Sequence, residues 1–316
     1  MTSHDLPTVA VVGAGAVGSY YGGMLALSGV PVTLIGRAVH VDAIERAGLV
    51  IERAGRRDVV RVRASTDASA VADTDVVLIC VKSPDTRVAT VAIKPHLRQD
   101  AVVVSLQNGV ANADAIGEMI DQVVLASVVW VGTSMEGPGV VRHAGRGDLE
   151  LGVTRACAHR TGAASRAREV AALFERAGVP CPVVDDIEAA LWSKLIVNCA
   201  FNAISALGRA RYGRMVHEPG GRDLMEATVR ESVAVARAAG IAIDEERMLA
   251  SVWRTAEAMA SQYSSTAQDI LRGKRTEVDM LNGYIAQRGL ELGVATPVNQ
   301  TLLALVKLRE AGDDLA

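Results

Sequence analysis

A short apolar run, Thr8-Val9-Ala10-Val11-Val12, leads straight into Gly13-Ala14-Gly15-Ala16-Val17-Gly18, and a helical pattern then continues to Ser28-Gly29. No other stretch restricts the fold as much. The uninterrupted β-branched run has the pattern of a strand covered on both faces in a parallel sheet. A second such run, Val30 to Ile35, closes at Gly36-Arg37. Strand, glycines, helix and strand together make a βαβ unit of about thirty residues, the context in which G-x-G-x-x-G points to a dinucleotide. Gly13 permits the tight turn, Gly15 lets backbone approach a pyrophosphate, and Gly18 lets the helix pack on the strand. The anion rests on the helix N-terminus, where unpaired N–H groups and the dipole favour negative charge. The whole run, with Ala14, Ala16 and Val17, is therefore read as cofactor-binding. The plain alternative is an ordinary glycine turn.

The end of the second strand selects the cofactor. An NAD site places Asp or Glu there to accept from the ribose 2′-hydroxyl. This chain has Arg37, and its nearest acids, Asp42 and Glu45, lie further on in the next helix. A guanidinium suits a 2′-phosphate and gives the hydroxyl of NAD no acceptor, so NADP(H) is expected. Arg37 as a merely solvated arginine is the competing account.

Residues 49–63 alternate around Gly55-Arg56-Arg57 as an antiparallel hairpin would. Asp75 to Val81 is another buried strand and ends at Val81-Lys82-Ser83-Pro84. Ala101 to Leu106 is the next and ends at Gln107-Asn108-Gly109. Lys82 and Asn108 thus stand at carboxyl ends of parallel strands, where such sheets hold ligands. Lys82 could equally be a surface lysine, and Asn-Gly is a turn signal in its own right. Val123 to Val131, Gly139 to His143 and Asp148 to Gly152 read as three further strands between glycine-rich turns. His143 is alone on its strand and reads as structural. A helix from Ala163 to Ala177 stops at Gly178, and Pro180-Cys181-Pro182 marks a domain junction.

Nothing beyond the junction reads as a strand. Helical patterns run from the Asp185-Asp186 cap to Leu207 and then near 220–239, 244–262, 277–292 and 297–311. The expected architecture is an α/β N-terminal domain of Rossmann type (1–182), a parallel sheet with added antiparallel strands, followed by an all-α C-terminal domain (183–316). The first of these helices is apolar nearly all round, so it should be buried. Lys194, Asn198 and Asn202 nevertheless recur at i, i+4 and i+8 and form one polar stripe over ~12 Å of axis. Buried amides and ammoniums are costly unless paired. The stripe needs either a polar ladder on a neighbouring helix or a ligand.

Composition narrows the chemistry. The net charge is −3, with no Lys/Arg block, which argues against nucleic acid or an anionic membrane as partner. Cys80, Cys157, Cys181 and Cys199 show no metal-ligand or disulfide spacing, and the N-terminus resembles no signal peptide. A cytoplasmic protein without a metal is expected. An NADP site with no nucleophile or metal constellation implies hydride transfer, which needs a proton donor beside the substrate carbonyl. Lys194 fits: an ammonium desolvated on an apolar helix has a lowered pKa and can donate near neutrality. Asn198 and Asn202 could bind the substrate's hydroxyl or carboxylate groups. Glu277 has a bland reading, as a first-turn acid in a helix capped by Thr276 with Asp279 three residues on.

Four stretches together resemble the ketopantoate reductase (2-dehydropantoate 2-reductase) family. They are Gly13 to Gly18, the Leu106-Gln107-Asn108-Gly109 turn, Trp192-Ser193-Lys194-Leu195-Ile196-Val197-Asn198, and Ser264-Ser265…Gln268-Asp269-Ile270…Thr276-Glu277-Val278-Asp279. The resemblance covers almost the whole chain, and the last two stretches are far more specific than the glycines. It implies NADPH-dependent reduction of 2-dehydropantoate to (R)-pantoate, a step towards coenzyme A. Lys194 would be the general acid with Glu277 supporting it. Asn198, Asn202 and Ser265 would hold substrate, Arg37 would grip the 2′-phosphate, and Lys82 and Asn108 would line the crevice. One departure stands out: the family often carries a further substrate-binding Asn about ten residues past the second helix Asn, where this chain has Gly208-Arg209-Ala210-Arg211-Tyr212-Gly213. Reduction of a different branched 2-oxo acid is therefore the nearest alternative. A non-catalytic NADP sensor is a third reading, and a β-hydroxyacid dehydrogenase is disfavoured because it lacks the Ser265 to Glu277 spacing. The oligomeric state stays open, a homodimer being one option.

Overall fold

The structure is a computed structural model that describes residues 6–312. It forms two compact units, one ending at Ile187 and one running from Glu188. The segment through Pro180 and Pro182 lies in the first, because their carbonyls accept from the Leu149 and Leu151 N–H groups.

The first unit is built on one nine-stranded sheet in the order β4-β3-β9-β8-β7-β6-β1-β2-β5. β1 (Val9–Val12), β2 (Val32–Ile35), β6 (Val76–Ile79) and β7 (Val102–Ser105) are parallel neighbours buried along their full length. That is why each reads as an unbroken apolar run. β3 (Leu49–Arg53) and β4 (Arg56–Val60) form the expected antiparallel hairpin, which ends at Val60. β5 (Arg63–Ser65) departs from it to pair in parallel with β2. α1 (Ala16–Leu27) turns Tyr21 and Leu25 into the core, where Tyr21 meets Phe174 edge-on at 6.0 Å. α2 (Ala38–Ala47), α3 (Thr86–Ile93), α4 (Asn112–Gly117) and α5 (Ala163–Arg176) complete the unit.

The three strands read between Val123 and Gly152 are two long ones, β8 (Val123–Gly137) and β9 (Val140–Gly152), paired antiparallel with β7 beside β8. Gly132, Gly145 and Gly147 look like turn signals but lie inside strands. The register slips between Val131 and Thr133, and a Cβ on Gly132 would run into the Ala144 carbonyl. Glycine inside a strand marks a bulge or a close backbone approach as readily as a turn. His143 stacks on Tyr20 with centroids 4.3 Å apart, a packing role.

The second unit is helical throughout its described residues: α6 (Ile187–Gly208), α7 (Tyr212–His217), α8 (Pro219–Ala238), α9 (Glu245–Ala258), α10 (Ser265–Leu271), α11 (Asn282–Leu292) and α12 (Pro297–Ala311). α7 and α10, of 6 and 7 residues, are too short to show a 3.6-residue period, so the pattern missed them. The helix expected over 277–292 is divided into a 3₁₀ turn at Val278–Met280 and then α11. Thr276 therefore does not cap the long helix. Its hydroxyl accepts from the Val278 N–H at 3.2 Å and shapes a local turn. α6 is long and apolar enough to cross a bilayer, yet it is largely buried and serves as the unit's core helix.

Candidate active site

The glycine turn has the form a pyrophosphate cradle requires. Gly13 adopts φ +112°, and a Cβ there would stand 2.7 Å from the Cys80–Val81 backbone. A Cβ on Gly18 would meet the Gly13 carbonyl and come within 2.9 Å of Val11 Cγ1. Gly15 differs from both. It is exposed, it precedes α1, and nothing lies within 4 Å of where its Cβ would be. Its side is open, as an approaching phosphate needs, and the first turn of α1 carries no acidic residue to repel one. Gly13 and Ala14 donate their N–H groups to the Ile35 carbonyl, which ties the turn to the end of β2. The residues present fit a dinucleotide.

Arg37 follows β2 as an exposed residue at the N-terminus of α2, and the first turn of α2 holds no acid. Lys82 is exposed just beyond β6, at the start of the Ser83–Asp85 turn. Asn108 is half-buried just beyond β7. The loops carrying these last two are joined by a buried polar network that the sequence did not announce. Gln107 Nε2 donates to the Val81 carbonyl at 2.9 Å and to Thr86 Oγ1 at 2.7 Å. Asn112 Nδ2 donates to the Asn108 carbonyl at 2.6 Å and to Ser83 Oγ at 3.1 Å. Ser83 Oγ donates to the same carbonyl at 3.0 Å, and Thr86 Oγ1 donates to Asn112 Oδ1 at 3.1 Å. Ser83, Thr86, Gln107 and Asn112 are all buried, so both loop ends are rigidly held. A run of small polar residues after an apolar strand was the available signal, but any loop shows that composition.

In the second unit the polar stripe grades inward along α6. Lys194 and Asn198 are half-buried, whereas Asn202 is only 4% exposed. Asn202 Nδ2 donates to Ser265 Oγ at 3.2 Å, which unites two candidate substrate-binding residues from distant parts of the chain. Ser264 supports the contact. Its hydroxyl donates to the Asn202 carbonyl at 3.1 Å and accepts from the Ala267 N–H at 3.0 Å, capping α10. Glu277 is half-buried at the head of the 3₁₀ turn, between two anchors on α12. The Thr276 N–H donates to Glu310 at 2.6 Å, and Lys307 pairs with Asp279 at 2.9 Å. In place of the absent Asn, Tyr212 stacks on Phe201 at 4.2 Å and the Ala210 carbonyl accepts from Ser205.

Burial pushes the Cys80 and Cys199 thiols well up and that of Cys181 up to about 12, so none offers a thiolate near neutrality. Among the described residues, no group of His, Cys, Asp and Glu is arranged to hold a metal ion.

Two family models match, Ketopantoate reductase PanE/ApbA over residues 9–156 and Ketopantoate reductase PanE/ApbA C terminal over residues 186–310. The chain belongs to the ketopantoate reductase family. A 2-dehydropantoate 2-reductase of Halobacterium salinarum is 37% identical to this family member over 96% of this chain and 98% of its own. A PanE/ApbA family ketopantoate reductase from Ralstonia eutropha superimposes with a TM-score of 0.89 at 49% identity, covering 96% of this chain and 98% of that one. D-mandelate dehydrogenase with NADH and anilino(oxo)acetate matches as well in shape, TM-score 0.89 with 96% and 98% coverage, at 26% identity. As a ketopantoate reductase family member the chain is an oxidoreductase, and its Rossmann-type sheet followed by helices is the family's architecture.

Proposed function

We propose that this chain reduces 2-dehydropantoate to (R)-pantoate with NADPH, the first unit holding the cofactor and the second the substrate and the proton donor. The observation that carries the reading is that Asn202, on the helix that also bears Lys194, meets Ser265 of α10. Two hydrogen-bonding side chains from separate segments converge on a stripe headed by an ammonium, as recognition of a small hydroxylated keto acid requires.

Gly13 to Gly18 would take the pyrophosphate on backbone N–H groups, Arg37 the 2′-phosphate, and Lys82 and Asn108 the crevice beside them. The cofactor, when bound, supplies a hydride to the ketone carbon. As the carbonyl carbon gains that hydride, its oxygen gains negative charge and must receive a proton. Lys194 is assigned to polarise the oxygen and donate that proton through Nζ. Glu277 is assigned to keep the amine oriented and protonated before transfer. Asn198, Asn202 and Ser265 are assigned to hold the substrate so that one face of the ketone is presented. Arg37, with no acid at the end of β2 or in the first turn of α2, supports NADPH over NADH. The four cysteines are unpaired, as in a reducing compartment, which supports a cytoplasmic setting.

The test is a substrate panel followed by NADPH absorbance. 2-Dehydropantoate should give the highest kcat/KM among branched and aromatic 2-oxo acids. Comparable or better rates with a simpler branched 2-oxo acid or with phenylglyoxylate would assign the chain a different keto acid. NADPH binding without oxidation by any of them would make it a sensor.

A further inference from the structure

Resting on the assignment of Lys194 and Glu277 as the proton-transfer pair, we propose that Asn282 is a positioning residue. It fixes the Glu277 segment against helix α6 through two buried amides that are anchored on half-buried Glu231.

The relay has a chemical direction. The Glu231 carboxylate can only accept, and it takes the Val298 N–H at 2.8 Å and the Asn299 N–H at 2.9 Å at the start of α12. It also takes Asn299 Nδ2 at 2.8 Å. That bond decides which way the Asn299 amide points, because the nitrogen must face the carboxylate and the oxygen must face away. Asn299 Oδ1 is therefore presented to Asn282, whose Nδ2 donates to it at 2.9 Å. The same Nδ2 donates to the Cys199 carbonyl on α6 at 3.3 Å. A flipped Asn282 would set its oxygen against two acceptors, so only one orientation is stable. Asn282 and Asn299 are both 0% exposed.

The point of attachment is what gives this chain of bonds a function. Cys199 directly follows Asn198 on α6, within the turns that carry the Lys194, Asn198 and Asn202 stripe. Asn282 opens α11, directly after the 3₁₀ turn headed by Glu277. A second clamp follows one side chain later, where Tyr284 meets Trp192 edge-on at 5.7 Å. The segment from Thr276 to Tyr284 is thus tied to α6 at Trp192 and Cys199, on either side of Lys194, and to α12 through Glu310 and Lys307. Plain helix packing would be served as well by apolar side chains, since a buried polar network is no cheaper than an apolar core. A directional amide chain does something packing cannot: it permits one register of α11 on α6, and so one placement of Glu277 relative to Lys194.

The test is a double-mutant cycle on the full-length enzyme, read as kcat with 2-dehydropantoate, KM for NADPH and thermal unfolding. Asn282→Ala should lower kcat on the order of 10-fold, since small misplacements of catalytic groups are that costly, with KM for NADPH within about twofold. Combined with Glu277→Gln it should add less than about twofold to the loss from Glu277→Gln alone, because both changes act on the same group. Glu231→Gln, one link further out, should move kcat in the same direction by less. It carries the cycle if Asn282→Ala does not fold. Additive losses, or a kcat unchanged at temperatures below unfolding, would show Asn282 to be structural only and overturn the inference. An unaltered enzyme that turns over no 2-oxo acid would overturn the catalytic assignment, and this inference with it.

Discussion

The Asn202 amide donates to the Ser265 hydroxyl at 3.2 Å, although the two residues are 63 positions apart. Ser264 donates its hydroxyl to the Asn202 carbonyl and its N–H to Ser205, so the start of α10 is docked onto α6 by three bonds. On the assignment of Asn202 to the substrate, Asn202→Ala should therefore remove that contact and loosen Ser265 together. The expected result is a rise in KM for the keto acid of about 10-fold, the loss of one or two hydrogen bonds. In the Asn202→Ala/Ser265→Ala double variant the two losses should be less than additive, measured as kcat/KM.

Lys194→Ala should reduce kcat by on the order of 10²-fold or more, the usual contribution of a general acid. NADPH affinity, measured by fluorescence titration, should change little. A variant that keeps its kcat would remove Lys194 from the proton-donor role.

Arg37→Ala should weaken NADPH by roughly 10- to 100-fold, the value of a charge-assisted bond to phosphate, and leave NADH nearly unaffected. The ratio of the two kcat/KM values is the measurement, and an unchanged ratio would sink the 2′-phosphate assignment.

Two glycines of the same turn should fail in different ways. Gly18→Ala sets a methyl against the Gly13 carbonyl and Val11 Cγ1, so it should lower Tm by several degrees or prevent folding. Gly15→Ala meets no protein atom within 4 Å, so Tm should hold. The added methyl stands in the open space above the turn, and NADPH binding should weaken by about 10-fold or more.

Glu310 makes the Glu277 segment acid-sensitive. Partial burial pushes its carboxyl up, but hydrogen bonds from Thr276 and from Lys307 outweigh this and leave it below its ordinary value. A group depressed in the folded state adds stability that is fully present above the unfolded value and is lost as pH falls through the folded one. Unfolding temperature should therefore fall as pH drops below the ordinary glutamate value of about 4.3. Glu310→Gln should be less stable at neutral pH by a few degrees and show a shallower acid decline.

The candidate site was partly legible because its signals are local. Gly13 to Gly18, Arg37, Lys82 and Asn108 each sit at the carboxyl end of an apolar run, and strand polarity alone sends such ends to one edge of a parallel sheet. Lys194, Asn198 and Asn202 share a face because a helix repeats every 3.6 residues. Glu277 was less legible. Its capping account depended on a helix starting at Thr276, whereas a 3₁₀ turn intervenes and α11 begins at Asn282.

What the sequence determined by itself was periodicity and chain order: buried parallel strands, a glycine turn before a helix, an apolar helix with one polar stripe, and no acid at the end of β2. What only the tertiary structure decided was which distant polar groups meet. Asn202 with Ser265, Gln107 with Thr86, and Glu231 through Asn299 and Asn282 to Cys199 are such meetings. The physical reason is that a buried donor must find an acceptor, but the one it finds is set by how helices and loops pack, and no interval in the sequence encodes that.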